Sequence, residues 1–291
     1  MDNTRQIKEY IAACEHMLKF FRKLLVEENI SLSGPANEKE RLAELTELRM
    51  LAKTDVWPQA VTKELMSEDN LEGQMVRASG ILTEYIVDNL TGKRFLDFGC
   101  GSGEIVEAAQ SLFGAKAFGY DIRERSDWAN LKNCKLTSWI NTIKQAGPFE
   151  AILLYDVLDH ADDPVEILKL CKQLKSVDSK IYVRCHPWSS RTGLNVHKTL
   201  NKAYLQLVFS ETELTSLGIV GEKTTKIKST DIYKKWIDAA ELTIVRESSI
   251  KQEIELFFTH NPAVLRRIKS NFDEVFPRDL MEIQFVDFVL I

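Results

Sequence analysis

The sequence predicts an α/β fold in which helices cover a mostly parallel sheet, and three observations support this prediction. Strand-like and helix-like segments alternate between residues 94 and 185, which is the pattern of a parallel sheet joined by right-handed crossovers. A glycine-rich turn follows the first strand-like segment, at the place where such sheets bind ligands. Two later segments, 241–246 and 283–291, are rich in strand-forming residues and predict a final strand pair.

The elements are predicted in order from their apolar patterns and their end signals. Residues 94–98 form an apolar run that ends at the glycine-rich turn, and residues 116–121 form a second short strand that ends in an acid. Pro164 begins a helix after a run of aspartates that can cap it. The predicted strands are 94–98, 116–121, 134–137, 149–156 and 179–185, and the predicted helices are 74–90, 103–113, 138–145 and 164–175.

The N-terminal residues predict a helical hairpin. Residues 5–28 carry apolar side chains at helical spacing, and Gly34 with Pro35 breaks the pattern. Asn37 followed by Glu40 is typical of the start of a second helix. We therefore expect a hairpin within residues 1–55 and a larger domain in residues 56–291, with an inserted segment at about 186–240. The apolar seam of the hairpin suits packing on its own domain, formation of a homo-oligomer, or docking of a partner protein.

Composition narrows the class of protein. The chain has 291 residues, 44% hydrophobic and 28% charged, with a net charge of −5. These values are typical of a globular protein and disfavour a polynucleotide partner, although a local basic patch is compatible with them. The five cysteines are scattered without metal-ligand spacing, which indicates reduced thiols and predicts no metal site. We found no signal peptide and no apolar run long enough to span a membrane, and we expect a cytoplasmic location.

The segment RFLDFGCGSGE, residues 94–104, is the most informative part of the chain. A strand delivers a carboxylate at its end, and three alternate glycines then let the backbone pass close beneath a ligand. A dinucleotide site requires the different spacing G-x-G-x-x-G, and the acid at Glu104 would repel a pyrophosphate. A second acid, Asp121, ends the next strand, 18 residues after Gly103, where it can accept hydrogen bonds from ribose hydroxyls. The segment therefore predicts a nucleotide-type cofactor site formed by Asp97, Gly99, Gly101, Gly103 and Asp121.

These two motifs resemble motif I and the following acidic strand end of the class I S-adenosylmethionine (SAM)-dependent methyltransferases. The resemblance covers about residues 80–291 and implies a Rossmann-like, seven-stranded, mostly parallel sheet with an antiparallel end. It also implies that SAM is the cofactor and S-adenosylhomocysteine the product, with Asp121 on the ribose. Residues at the corresponding strand ends are further candidates for cofactor binding: Ile122, Trp139, Tyr155 and Asp156.

Candidate catalytic residues follow the fourth and fifth predicted strands. Residues 155–160, YDVLDH, resemble motif IV of the same family, which in many members lies beside the transferred methyl group. There Asp156 or Asp159 could orient an acceptor, although Asp159 could simply cap the next helix, and His160 could accept a proton. In residues 186–204 the predicted substrate-facing residues are His186, Arg191 and His197, with Trp188 or Tyr204 as a stacking surface. A surface lid whose polar groups meet only water is the alternative.

Three functions remain open from the sequence. The first is methyl transfer to an oxygen or nitrogen atom of a small-molecule or nucleotide-sized acceptor, with His160 or His186 as the base. The second is methylation of RNA or another polymer, with a basic surface made of Lys198, Lys202, Lys223, Lys226 and Lys228. The third is a binding or assembly protein that keeps the fold and docks partners through its hairpin.

Three short segments also look similar to methyltransferase-like proteins encoded by bacteriophages. They are Trp57-Pro58, residues 155–160, and HPWSSR at residues 186–191. This resemblance implies a location in the host cytoplasm and identifies no substrate.

Overall fold

The computed structural model describes residues 37–61, 71–86, 88–131, 134–220, 230–254, 256–271 and 281–291. Within these residues, seven strands form one sheet in the order β3-β2-β1-β4-β5-β7-β6. Strands β1 to β5 are parallel to one another, whereas β7 is antiparallel to both β5 and β6. The predicted seven-stranded, mostly parallel sheet is therefore confirmed. The strands are β1 Arg94–Phe98, β2 Lys116–Tyr120, β3 Lys135–Thr137, β4 Phe149–Tyr155, β5 Lys175–Cys185, β6 Ile244–Lys251 and β7 Ile283–Leu290.

Helices connect the strands, and local capping explains where several of them begin. Asp163 accepts a hydrogen bond from the backbone N–H of Glu166, with Pro164 at the first helical position. Ser210 and Glu213 form a reciprocal capping box. The helices are α1 Glu38–Ala52, α2 Leu71–Tyr85, α3 Glu104–Ser111, α4 Ile140–Ala146, α5 Pro164–Leu174, α6 Leu205–Val208, α7 Glu211–Ser216, α8 Asp231–Ala239, α9 Leu256–His260 and α10 Pro262–Asn271.

The start of β6 differs from the prediction that residues 241–246 form a strand. The backbone N–H of Leu242 donates to the carbonyl of Ile237 at 3.1 Å, which closes the end of α8 as a turn. The side chain of Leu242 is buried in the core. Leu242 is therefore apolar because it packs in the core from the turn after α8. The strand begins only at Ile244 and continues to Lys251.

Alternating residues of the strands separate two cores on opposite faces of the sheet. On one face, Leu96, Ile152 and Ile181 pack with residues of α5 and α8. On the other face, Phe95 and Leu153 pack with α2 and α3. Strands buried on both faces are typical of a parallel sheet with helices on each side.

A third core lies beyond the sheet and includes the second helix of the predicted hairpin. Its centre is Trp57, fully buried, whose indole N–H donates to the carbonyl of Ala203 at 2.9 Å. Leu48 and Ala52 of α1 are buried in the same cluster. Glu44 forms an ion pair with Arg266 of α10 at 2.6 Å. Helix α1 thus packs on its own chain, while the first helix of the hairpin lies outside the described residues, and the division at residue 55 stays a prediction.

Within the described part of the chain, no helix is both long and apolar enough to cross a membrane.

Candidate active site at the carboxyl edge of the sheet

The carboxyl ends of the parallel strands bring distant residues together at one edge of the sheet. Asp97 lies near the end of β1, and Asp121, Asp156 and His186 each follow directly after β2, β4 and β5. In the register of the sheet, Asp97 lies opposite Leu153 of β4. This edge is where open α/β sheets bind their ligands.

The glycine-rich loop after β1 is tied to the end of β2. The backbone N–H groups of Gly99 and Cys100 both donate to the carbonyl of Tyr120, at 2.6 and 2.9 Å. The backbone N–H of Gly101 donates to Asp121 Oδ2 at 3.0 Å. From the other side, the indole N–H of Trp128 donates to the Gly101 carbonyl at 2.8 Å. The loop is therefore held rigidly in place, and Asp121 is one of the groups that hold it.

The three glycines of the loop differ in what surrounds them. A Cβ atom at Gly99 would lie 2.4 Å from Val157 Cγ2, and one at Gly103 would lie 2.8 Å from Leu136 Cδ1. At Gly101, with a φ of +51°, a Cβ atom would meet no atom of the described structure within 4 Å. Gly99 and Gly103 are thus required by packing, whereas Gly101 faces open space in which a ligand fits.

Acidic side chains cluster beside the glycine loop. Asp97 Oδ2 and Glu104 Oε2 are buried and have no hydrogen-bond partner among the described residues, and the other oxygen of Glu104 pairs with Arg77 at 3.1 Å. Burial, followed by the negative charges of Glu104 and Asp121, raises the pKa of Asp97 to about 8. A positively charged ligand would relieve this repulsion, and a phosphate would increase it.

A second group of polar residues surrounds the end of β4 and β5. Asp159 is fully buried, and its carboxylate accepts hydrogen bonds from the His186 backbone N–H at 2.7 Å and from the Tyr233 hydroxyl at 2.6 Å. Burial raises the pKa of Asp159 to about 6, and these two hydrogen bonds oppose that effect. Asp159 does not cap α5, because Asp163 does so. It holds the backbone of His186.

The imidazole of His186 lies between Thr192 and Asp156. His186 Nε2 is 2.6 Å from Thr192 Oγ1, and His186 Nδ1 is 3.9 Å from Asp156 Oδ2. Burial, followed by the positive charges of neighbouring His197, His160 and Arg184, lowers the pKa of His186 to about 4. Burial, followed by the charge of Asp159, raises the pKa of Asp156 to about 8. A neutral imidazole therefore faces the acidic residue at the end of β4.

The remaining predicted catalytic residues occupy different surroundings. His160 is exposed at the end of the 3-10 turn Leu158–His160, and His197 is half-buried in the 3-10 segment Gly193–Lys198. The guanidinium of Arg191 donates to the backbone carbonyls of Gln59 and Ala60, each at 3.1 Å from Nε. Arg191 thus fastens the 186–204 loop to the segment that carries Trp57.

The predicted cofactor contacts beyond the glycine loop are spread along the same edge. Ile122 and Trp139 are 75% and 73% exposed, so both side chains are accessible to a ligand. The ring of Tyr155 lies 6.5 Å from the ring of Phe285 and 5.5 Å from the guanidinium carbon of Arg184.

Two other predicted surfaces do not form as expected. Tyr204 is fully buried, and its hydroxyl donates to the Met281 carbonyl at 3.0 Å, so its ring offers no stacking surface; Trp188 is also buried. Lys202 is buried and its ammonium donates to the carbonyls of Thr54 and Trp57 at 2.6 and 3.2 Å. It therefore contributes nothing to a basic surface, and Lys223, Lys226 and Lys228 lie outside the described residues.

The sequence did not indicate that four further residues belong to the site: Thr192, Tyr233, Phe285 and Arg184. Tyr233 and Phe285 come from α8 and β7, and no local pattern connects them with His186. The Phe285 ring lies 5.0 Å from the imidazole. Arg184 pairs with Asp287 through two hydrogen bonds of 2.7 Å, a match across β5 and β7 that only the register of the strands reveals.

Comparison with known proteins shows what this domain is similar to. Residues 72–201, 130 of the 291 residues, match the profile of the family described as "Methyltransferase domain". The protein is an enzyme of the methyltransferase type, and its sheet has the strand order of the class I fold.

Several relatives share this resemblance. The ubiquinone biosynthesis O-methyltransferase of Thiobacillus denitrificans is 27% identical over 191 residues, which cover 60% of this chain and 71% of that protein. The protein of the same name from Bordetella pertussis is 29% identical over 100 residues, 30% of this chain and 39% of that one. A SAM-dependent methyltransferase of known structure from Archaeoglobus fulgidus is 19% identical with a TM-score of 0.47, over 79% of this chain and 99% of that chain.

The glycine loop fits SAM and disfavours a pyrophosphate. SAM carries a positive sulfonium and a positive ammonium group, and it has no phosphate. The buried oxygens of Asp97 and Glu104 that have no partner among the described residues suit these charges, and the described residues leave open space at the Cβ position of Gly101. Among the described residues, no three His, Cys, Asp or Glu side chains are grouped so that they could hold a metal ion.

We predict that Gly101→Val weakens SAM binding by about 100-fold or more, because the valine side chain fills the space that the ligand requires. Gly92→Val is the matched control, since Gly92 also has a positive φ of 75° and open space around its Cβ position but belongs to the turn before β1. Calorimetric titration of both variants with SAM measures the effect. Wild-type affinity in Gly101→Val would remove the glycine loop from the cofactor site.

We also predict that SAM binding at pH 6.5 releases a proton from Asp97. The free carboxyl has a pKa of about 8 and is mostly protonated at this pH, whereas the cationic ligand favours the carboxylate. The amino group of SAM stays protonated at pH 6.5, with a reference pKa of roughly 7.7–8.0. Calorimetry in two buffers of different ionisation enthalpy counts the released proton. Asp97→Asn should abolish the release, and an equal heat of binding in both buffers for the wild type contradicts the assignment.

Proposed function

We propose that this protein transfers the methyl group of SAM to an oxygen or nitrogen atom of a small-molecule acceptor. The observation that carries the proposal is the neutral imidazole of His186, which is half-buried at the carboxyl edge with Nδ1 at 3.9 Å from Asp156 Oδ2. An acceptor that loses a proton during methylation requires a base at this place.

The cofactor would be held by the glycine loop and the two acids beside it. Asp97 would balance the positive charge of the amino-acid part, Gly101 would leave room for it, and Asp121 would accept hydrogen bonds from the ribose. Ile122 and Trp139 are exposed next to this position and would cover the adenine. When bound, SAM supplies an activated methyl carbon, so the protein itself need only align the acceptor, exclude water and accept a proton.

The contact between the two halves of the site supports transfer from one to the other. Gly99 of the cofactor loop packs so tightly on Val157 that a Cβ atom would clash with it, and Val157 follows Asp156 directly. The acceptor's lone pair would form the new bond to the methyl carbon, and the electron pair of the broken carbon–sulfur bond would stay on sulfur. The acceptor's proton would pass to His186, from which water removes it after release of the product.

The relatives favour an oxygen acceptor. Two proteins named ubiquinone biosynthesis O-methyltransferase match this chain at 27% and 29% identity. An uncharged histidine base also suits a hydroxyl whose proton must leave as the methyl group arrives. We therefore propose a hydroxyl-bearing small molecule as the first acceptor class to test, and an amine as the second.

Two other functions have less support. Methylation of RNA or another polymer would require a basic surface, and Lys202 is buried by backbone carbonyls. An assembly role for the hairpin would require its apolar seam, and the part of it in α1 packs on the third core. Homo-oligomer formation, cytoplasmic location and the bacteriophage resemblance stay predictions.

We predict that His186→Ala lowers kcat by about 100-fold or more while the affinity for SAM stays within about twofold of the wild type, since loss of a general base slows only proton transfer. His260→Ala is the control, because His260 is exposed at the end of α9. Formation of S-adenosylhomocysteine with a panel of phenols and amines measures turnover, and calorimetry measures binding. Full activity of His186→Ala would exclude His186 as the base.

A further inference from the structure

The two ring nitrogens of His186 have different surroundings. His186 Nε2 is in hydrogen-bond contact with Thr192 Oγ1 at 2.6 Å. His186 Nδ1 faces Asp156 Oδ2 at 3.9 Å, which is longer than a hydrogen bond. One nitrogen thus has a fixed partner in the protein, and the other is separated from Asp156 by a gap of 3.9 Å, which is too wide for a hydrogen bond.

The imidazole is fixed in this orientation from several sides. The His186 backbone N–H donates to Asp159 at 2.7 Å, and Asp159 is held in turn by the Tyr233 hydroxyl at 2.6 Å. The ring of Phe285 packs against the imidazole with 5.0 Å between centroids. These contacts hold the backbone and the ring plane of His186, and a 180° turn of the ring would break the contact between Nε2 and Thr192.

We infer that Thr192 is a positioning residue that accepts a hydrogen bond from His186 Nε2–H and so leaves the lone pair of Nδ1 facing the gap beside Asp156. This inference rests on the proposed function and specifies the acceptor position within it. The opposite tautomer would place an N–H on Nδ1 of this half-buried ring, with its nearest acid at 3.9 Å, too far away to accept a hydrogen bond.

An acceptor atom placed beside this 3.9 Å gap can reach both groups. An oxygen or nitrogen atom placed about 2.8 Å from both Nδ1 and Asp156 Oδ2 makes a normal hydrogen bond with each. Asp156 has a left-handed backbone conformation, with φ of 55°, and its Oδ1 is buried without a partner among the described residues. The geometry therefore points to an acceptor with a hydroxyl or amine group bound between Nδ1 and Asp156, with its proton directed at Nδ1.

The test is a long-range proton–nitrogen NMR correlation spectrum of the uniformly nitrogen-15-labelled protein, with the His186 signals assigned from their loss in His186→Gln. The spectrum distinguishes a protonated ring nitrogen from one with a lone pair, independently of activity. Thr192→Val removes the hydroxyl at constant shape, Thr192→Ser restores it, and Thr199→Val on the exposed part of the same loop is the matched control. Each variant is also assayed for kcat.

We expect a proton on Nε2 and a lone pair on Nδ1 in the wild type, in Thr192→Ser and in Thr199→Val. In Thr192→Val the two tautomers should become mixed, and kcat should fall by about tenfold with an unchanged affinity for SAM, as a change in tautomer population predicts. A proton on Nδ1 in the wild type, or an unchanged tautomer in Thr192→Val, overturns the inference. If the tautomers behave as expected but His186→Ala keeps full activity, His186 is not the base and the role of Thr192 in orienting the ring stands. If the tautomers behave as expected but the wild type forms no S-adenosylhomocysteine with any acceptor of the panel, the proposed function fails and the role of Thr192 still stands.

Discussion

The hydrogen bonds between the glycine-rich loop and the end of β2 are the constraint on which the site depends. Tyr120 accepts from two backbone N–H groups of the loop, and Asp121 accepts from a third. These bonds are possible because β1 and β2 are parallel neighbours whose carboxyl ends lie at the same level. They hold Gly101, whose Cβ position is open in the described structure, beside Asp121. Without these hydrogen bonds, the glycine-rich loop could adopt other backbone conformations, because glycine is conformationally permissive.

The end of β4 joins this cofactor half to the acceptor half. Val157 packs on Gly99, Asp156 faces His186, and Asp159 holds the His186 backbone. Residues 156–159 therefore contact both the cofactor loop and the proposed base. Burial keeps both His186 and Asp156 near neutrality, because it disfavours the charged form of each. An uncharged pair of this kind can exchange a proton with an acceptor without first losing a strong ion pair.

Much of this arrangement could be predicted from the sequence, because its signals are local. The D-x-G-x-G-x-G turn and the acid that ends β2 indicated both the fold and the cofactor edge. The rest depends on contacts across long distances in the chain. Tyr233 reaches Asp159 from 74 residues away, and Phe285 reaches His186 from β7. The burial of Tyr204 and Lys202 follows from packing against Met281, Thr54 and Trp57, which no periodicity in residues 186–204 reveals.

The central claim is that SAM binds against the glycine loop and the end of β2. Hydrogen–deuterium exchange measured by mass spectrometry, with and without saturating SAM, tests it most directly, because it reports on the backbone amides of the loop itself. We expect slower exchange in peptides that cover residues 99–104 and 121–123, with a smaller effect at residues 155–160. Unchanged exchange in the first two segments at saturating SAM would contradict the claim.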